Sequence, residues 1–164
     1  MFKHLKKSSN IIISGPQRSG TRIAAKIMVK DTGKSYIDEK YINFHDFRLL
    51  QYYLQKGQVV IQCPGLCHML HGIEREDTLV IVVRRNIDDI IASEQRIWDK
   101  DSERIELIKY GYTDGIISEI KYNFWSNIQR PILGKRAKEI NFNDLEEHPL
   151  FIKDRKDFRW NQTK

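Results

Sequence analysis

The residues of this chain best suited to chemistry lie in one run, Ile11-Ile12-Ile13-Ser14-Gly15-Pro16-Gln17-Arg18-Ser19-Gly20-Thr21-Arg22. An apolar strand breaks there into a Gly-rich loop, and the loop opens a helix. Such a loop turns several backbone N–H groups inward, and the helix start adds the positive end of its dipole. The place therefore favours a phosphate or a sulfate. The spacing of Gly15 and Gly20 is that of the ATP-binding loop G-x-x-x-x-G-K-[ST]. The next two residues depart from it. Thr21 stands where the phosphate-gripping Lys belongs, and Arg22 where the Mg²⁺-holding hydroxyl belongs. The cation has moved inside the loop, to Arg18, so the run reads as an anion cradle that expects no metal.

A second segment supports that reading. The apolar, β-branched run from Thr78 to Val83 is followed at once by Arg84-Arg85-Asn86-Ile87-Asp88-Asp89-Ile90-Ile91-Ala92-Ser93. With this segment the chain resembles the sulfotransferase family, whose first signature reads G-x-P-R-S-G-T-T or G-G-T-R. The family's second signature, R-[ND]-P-x-D-x-x-x-S, follows a buried strand. Arg85, Asn86, Asp89 and Ser93 match its spacing, with Ile87 in place of Pro. Val60-Ile61-Gln62-Cys63-Pro64 is similar to the strand-end K-D-P of bacterial members. Ile140-Asn141-Phe142-Asn143-Asp144-Leu145 is similar to their Y-E-D-L. The resemblance runs from about residue 10 to about residue 149.

The resemblance implies sulfuryl transfer from 3′-phosphoadenosine 5′-phosphosulfate to a hydroxyl or amine of a small molecule or glycan. Gly15, Arg18 and the amides of Ser19, Gly20 and Thr21, beside Arg22, would hold the 5′-phosphosulfate. Arg85 and Ser93 would hold the 3′-phosphate, making two separate anion sites. Ser93 lies two helical turns beyond Arg85, so both can reach one phosphate only if Arg85 precedes the helix. The acceptor needs a base. Glu39, in Glu39-Lys40-Tyr41-Ile42, sits at a distance from the loop similar to the Glu of heparan-type members; His45 and His68 stand behind it. Gln62 replaces the Lys of bacterial members, and Ile23 an adenine-stacking Trp. Two other readings stay open: a nucleotide- or anion-binding protein without turnover, and a P-loop kinase or NTPase. Against the kinase reading, the buried strands end in Gln62-Cys63 and Arg84-Arg85 rather than in an Asp suited to Mg²⁺.

The elements that must position these residues alternate. Strands are expected at 10–14, 35–38, 58–62, 78–83 and 137–142. Helices are expected at about 20–31, 44–56, 87–98 and 115–130, with a short helical turn at about 65–73 and a polar loop over 99–114. The helix at 115–130 is expected to bury Ile116, Ile120, Phe124 and Ile128. Gly33 and Gly57 are placed to end helices, and Asn86 to cap one. Alternation of near-continuous apolar strands with helices predicts an α/β fold, a P-loop-type three-layer sandwich whose mostly parallel central sheet is flanked by helices. In such sheets ligands sit at the carboxyl ends of strands.

With 164 residues the chain reads as one domain over 1–164, with a core at about 10–149 and a charged tail at about 153–164. The net charge of +6 suits a multiply charged nucleotide. The basic residues are scattered, so no specific nucleic acid is expected as a partner. No apolar run approaches the ~20 residues of a membrane span, and a cytoplasmic location is expected. Cys63, Cys67, His68 and His71 fall close together, but their spacing matches no common zinc module, and buried thiols are expected instead.

Overall fold

The computed structural model describes residues 1–42, 46–98 and 115–151. His45, the polar stretch over 99–114 and the tail from Lys153 lie outside the described residues. Five strands, β1 (Asn10–Ser14), β2 (Ser35–Asp38), β3 (Val59–Gln62), β4 (Thr78–Arg84) and β5 (Ala137–Asn141), form one sheet in the order β2-β3-β1-β4-β5. Every pairing is parallel. Helices α1 (Thr21–Thr32), α2 (Phe47–Lys56), α3 (Ile87–Trp98) and α4 (Ile116–Phe124) flank it. Helix α4 runs on through a π turn, Trp125–Gln129, into α5 (Arg130–Leu133).

The strands are β-branched and buried on both faces, as a parallel sheet between two helical layers requires. Alternate residues divide the core. Ile12, Ile61, Val80 and Val82 pack with Leu50, Leu54, Ile90 and Trp125 on one face. Ile11, Ile13, Val60, Ile81 and Val83 pack with Ile23, Ile27, Met28 and Leu145 on the other. The period-2 pleat thus sends Val60 and Gln62 toward α1, and Val82 and Arg84 toward α4. The pleat decides which strand-end side chains meet the loop.

The helix ends follow local chemistry. Asp46 accepts hydrogen bonds from the N–H groups of Arg48 and Leu49 at the start of α2, and Asn86 Oδ1 accepts from Asp88 N at 2.8 Å at the start of α3. Gly33 ends α1 in the left-handed region, at φ 75°, with its N–H donating to Val29 O at 2.8 Å. The expected turn at 65–73 is two 3₁₀ turns, Pro64–Leu66 and Leu70–Gly72.

The predicted inner face of the last long helix is wrong. Ile116, Ile120 and Ile128 are 50%, 60% and 46% exposed, and the helix instead buries Ser118, Tyr122, Trp125, Gln129 and Leu133. The aromatic and amide side chains win the interior because each finds a polar partner there. Tyr122 O–H donates to Val83 O, Trp125 Nε1 to Glu139 Oε1, and Gln129 Nε2 to Cys67 O. No helix among the described residues is long and apolar enough to cross a membrane.

Candidate functional site

The loop between β1 and α1 is held in shape by its own short bonds. Ser19 Oγ and Ser19 N both donate to Pro16 O, at 2.8 and 3.2 Å. Ser14 Oγ donates to Cys63 O at 2.9 Å, tying the loop's entry to the end of β3. Two glycines are required. At Gly15 a Cβ would stand 2.7 Å from Ser19 Oγ and 2.9 Å from Val83 O. At Gly20, with φ 94°, it would stand 2.3 Å from the Phe142 ring. Gly20 is the N-cap of α1 and offers no side chain to cap it. The first amides of α1 are therefore available to an anion.

Arg18, itself in the left-handed region at φ 66°, is exposed on the loop. Its Nε donates to Ser93 Oγ on α3 at 3.2 Å. Arg85, which follows β4 and precedes α3, donates from Nη1 to the main-chain carbonyl of Arg18 at 3.0 Å. The loop and the segment after β4 thus meet at one place, because β1 and β4 are adjacent strands. The neighbouring Arg84 has other partners. It pairs with Glu139 (Nε–Oε2 3.0 Å), bonds Ser126 and lies over the Tyr122 ring. Burial would raise the Glu139 carboxyl, but Arg84, Trp125 and Arg130 hold it below its usual value. Tyr122 O–H, pushed up to about 12 chiefly by burial, accepts from Arg85 N at 3.0 Å. Of two consecutive arginines, one is locked into the fold and the other is turned to the loop.

A second polar group is built from the ends of β2 and β3 and the start of α1. Thr21 Oγ1 accepts from Gln62 Nε2 at 3.1 Å, while its methyl lies on the Gly15 side. Arg22 leans toward Asp38, Nε–Oδ2 3.7 Å. Glu39 opens the 3₁₀ turn after β2 and is half-buried. Burial pushes its carboxyl above the usual range and Asp38 adds to this; Arg22 and hydrogen bonds from Gly65 N–H and Gln62 pull the other way. Glu39 Oε2 and Gln62 Oε1 are buried with no hydrogen-bond partner. The structure thus brings Glu39, Gln62, Thr21 and Arg22 together. His68 is exposed, and His45 lies outside the described residues.

Four residues that the sequence did not mark as site residues support this cluster. Cys67 is buried under the loop, its thiol bonded to Ser14 and to Gly15 N–H and pushed up by burial. Gln129, fully buried in the π turn, holds the Cys67 carbonyl at 2.7 Å. Glu94, half-buried beside Arg18 and Lys121, is raised by burial while those two cations pull it down. Phe142 packs between Gly20 and Arg85. Only Phe142 had a signal, its place in the segment similar to Y-E-D-L. Among the described residues, no group of three or more His, Cys, Asp or Glu side chains is placed to hold a metal ion. The Cys63 thiol is pushed up to about 12, first by burial.

No protein-family profile matches the chain, and no curated protein matches it in sequence. In structure it is similar to shikimate kinase from Bacteroides thetaiotaomicron, with a TM-score of 0.59 and 13% identity over 85% of this chain and 89% of that one. It is also similar to shikimate kinase from Acinetobacter baumannii in complex with shikimate, with a TM-score of 0.50 and 12% identity over 85% and 87%. At such identity the likeness speaks for architecture alone: the chain has the P-loop α/β fold of these kinases, a parallel five-stranded sheet between layers of helices.

Proposed function

We propose that this chain transfers a sulfuryl group from 3′-phosphoadenosine 5′-phosphosulfate to a hydroxyl or amine of a small molecule or glycan. One observation carries the reading: Arg18, Arg85 and Ser93, from two segments far apart in sequence, form one hydrogen-bonded cluster beside the open start of α1. A donor with phosphates at both its 3′ and 5′ positions suits a cluster that spans loop and α3. In this reading Arg18 and the amides of Gly20 and Thr21 hold the 5′-phosphosulfate, the Ser19 amide being engaged by Pro16 O, while Arg85 and Ser93 hold the 3′-phosphate. Glu39 takes the acceptor's proton as the acceptor oxygen or nitrogen bonds to sulfur and the bond from sulfur to the 5′-phosphate oxygen breaks. Burial raises the Glu39 carboxyl and makes it a stronger proton acceptor than an ordinary Glu.

The fold likeness to shikimate kinases favours a second reading, phosphoryl transfer to a small molecule. Against it stand two side chains at the Lys and Ser/Thr positions of the ATP-binding loop. Thr21 is bonded to Gln62, and Arg22 is turned to Asp38. Incubation of the protein with 35S-labelled donor and a panel of polyols, amino sugars and phenols tests the first reading. Label appearing in an acceptor supports it. Label retained by the donor, with phosphate transferred from ATP instead, supports the second.

A further inference from the structure

Phe142 is the first residue after β5, and its backbone N–H donates to Arg84 O at 2.7 Å. That bond continues the β4–β5 ladder by one rung and fixes Phe142 beside the point where Arg84 and Arg85 part. The ring is half-buried, and Phe151 closes on it at 5.5 Å with the two planes 69° apart. Phe142 fills the space at Gly20 that a Cβ would need, with its Cδ2 and Cε2 only 2.3 and 2.5 Å from that position. The guanidinium of Arg85 lies 4.3 Å from the ring centroid.

We propose that Phe142 is a positioning residue for nucleotide binding: its ring sets the plane of the Arg85 guanidinium and the approach of Gly20, and so the distance between the two halves of the anion cluster. The reason is geometric. A guanidinium stacked by its face on an aromatic ring donates hydrogen bonds from its edge. The Arg85 side chain is 14% exposed; its Nη1 reaches Arg18 O at 3.0 Å, and its guanidinium carbon lies over the Phe142 ring. The competing direction is along α3, where Asp89 lies 3.9 Å from Arg85 Nε and is itself 56% exposed. At 3.9 Å, to a carboxylate more than half exposed, that pair is weak, so the ring contact and the Arg18 carbonyl decide where the charge points. The second contact works on the other half. Gly20 is the N-cap of α1, and a ring packed against it fixes where the first helical amides stand relative to Arg85. One aromatic side chain thereby sets both halves of the cluster, although it contributes no polar atom of its own.

This inference rests on the proposed use of Arg85 for a 3′-phosphate, and the test separates the two. Calorimetric titration gives the affinities of the wild-type protein, Phe142→Met and Phe142→Tyr for adenosine 3′,5′-bisphosphate and for AMP. The ratio of the two affinities isolates the 3′-phosphate. Methionine keeps apolar bulk without a ring face, and tyrosine keeps the face. The ratio is expected to fall about 5- to 10-fold in Phe142→Met and to stay near the wild-type value in Phe142→Tyr. A ratio unchanged in Phe142→Met, or lost equally in Phe142→Tyr, overturns the positioning role alone. A wild-type ratio near one overturns the reading of Arg85 beneath it. Should Phe142→Met melt well below the wild type, Phe142→Leu gives the same comparison.

Discussion

Arg85 donates from Nη1 to the carbonyl of Arg18 across 3.0 Å, and this single bond joins the strand end of β4 to the loop after β1. It brings a residue after the fourth strand to a loop after the first. It also orders the two arginines relative to each other, since Arg18 in turn reaches Ser93 at 3.2 Å. Two cations on one ligand face repel in the absence of an anion, and each here is restrained by a neutral acceptor, the Arg18 carbonyl and the Ser93 hydroxyl.

Removing the loop cation tests the cluster at its centre. Charge-assisted contacts to phosphate contribute about 1.5–3 kcal/mol. Arg18→Ala is therefore expected to weaken binding of adenosine 3′,5′-bisphosphate by roughly 10- to 150-fold at about 1.4 kcal/mol per decade. Arg18 is exposed, so the melting temperature should hardly move. Unchanged affinity in a folded variant would place the anion elsewhere.

The space at Gly20 allows no side chain. Gly20→Ala places a methyl where the Phe142 ring stands and asks an L-residue to hold φ 94°. Loss of about 1–3 kcal/mol of stability is expected from overpacking and the backbone conformation, together with loss of nucleotide binding. Chemical denaturation and calorimetry read the two effects. Wild-type stability and affinity would show that the ring moves aside freely.

Glu39 ties acid–base chemistry to stability. Burial raises its carboxyl in the folded state, so the charged form opposes folding. This group's contribution to stability is largest below its unfolded value and is lost as pH rises through its folded value. Glu39→Gln is accordingly expected to be as stable as the wild type or more so near neutral pH. Turnover should fall by about 10²–10⁴ if Glu39 is the base. In the wild type, turnover should decline as pH falls through a value above the ordinary Glu range. A Glu39→Gln variant with full turnover passes the role to His45 or His68.

Asp31 ties together Met1, Phe2 and His148. Burial would raise its carboxyl, yet the Phe2 N–H, the Met1 ammonium and His148 hold it down to about 2. His148 Nδ1 accepts from Leu150 N, and its Nε2 lies 3.3 Å from Asp31 Oδ1. A lowered carboxyl stabilises the fold above its unfolded value near 3.8 and ceases to do so as pH falls toward 2. The shift corresponds to about 2 kcal/mol at about 1.36 kcal/mol per pH unit. Asp31→Asn should lose about that much at neutral pH and little below pH 2, measured by urea denaturation. An equal loss at both pH values would contradict the linkage.

Much of this arrangement was legible in the sequence because it is local. The apolar runs of β1, β3 and β4, the loop glycines and the Asn86 cap each announce themselves within a few residues. The face of α4 did not, because periodicity counts hydrophobicity while Tyr122, Trp125 and Gln129 are held inside by polar partners from other elements. The direct bond between Arg18 and Ser93 was not legible for a similar reason: it spans 75 residues and depends on strand order. Cys67 and Gln129 act through contacts of the same long-range kind, and no residue pattern marks such a partner.

The central claim is that Arg18, Arg85 and Ser93 together hold a nucleotide with phosphates at its 3′ and 5′ positions. Calorimetric titration of the wild-type protein with adenosine 3′,5′-bisphosphate, AMP and ATP, each with and without Mg²⁺, tests it most directly. Adenosine 3′,5′-bisphosphate should bind more tightly than AMP, by roughly tenfold or more for one added charge-assisted phosphate contact, with no dependence on Mg²⁺. Preference for ATP that appears only with Mg²⁺ would contradict the account and make this P-loop a phosphoryl-transfer site.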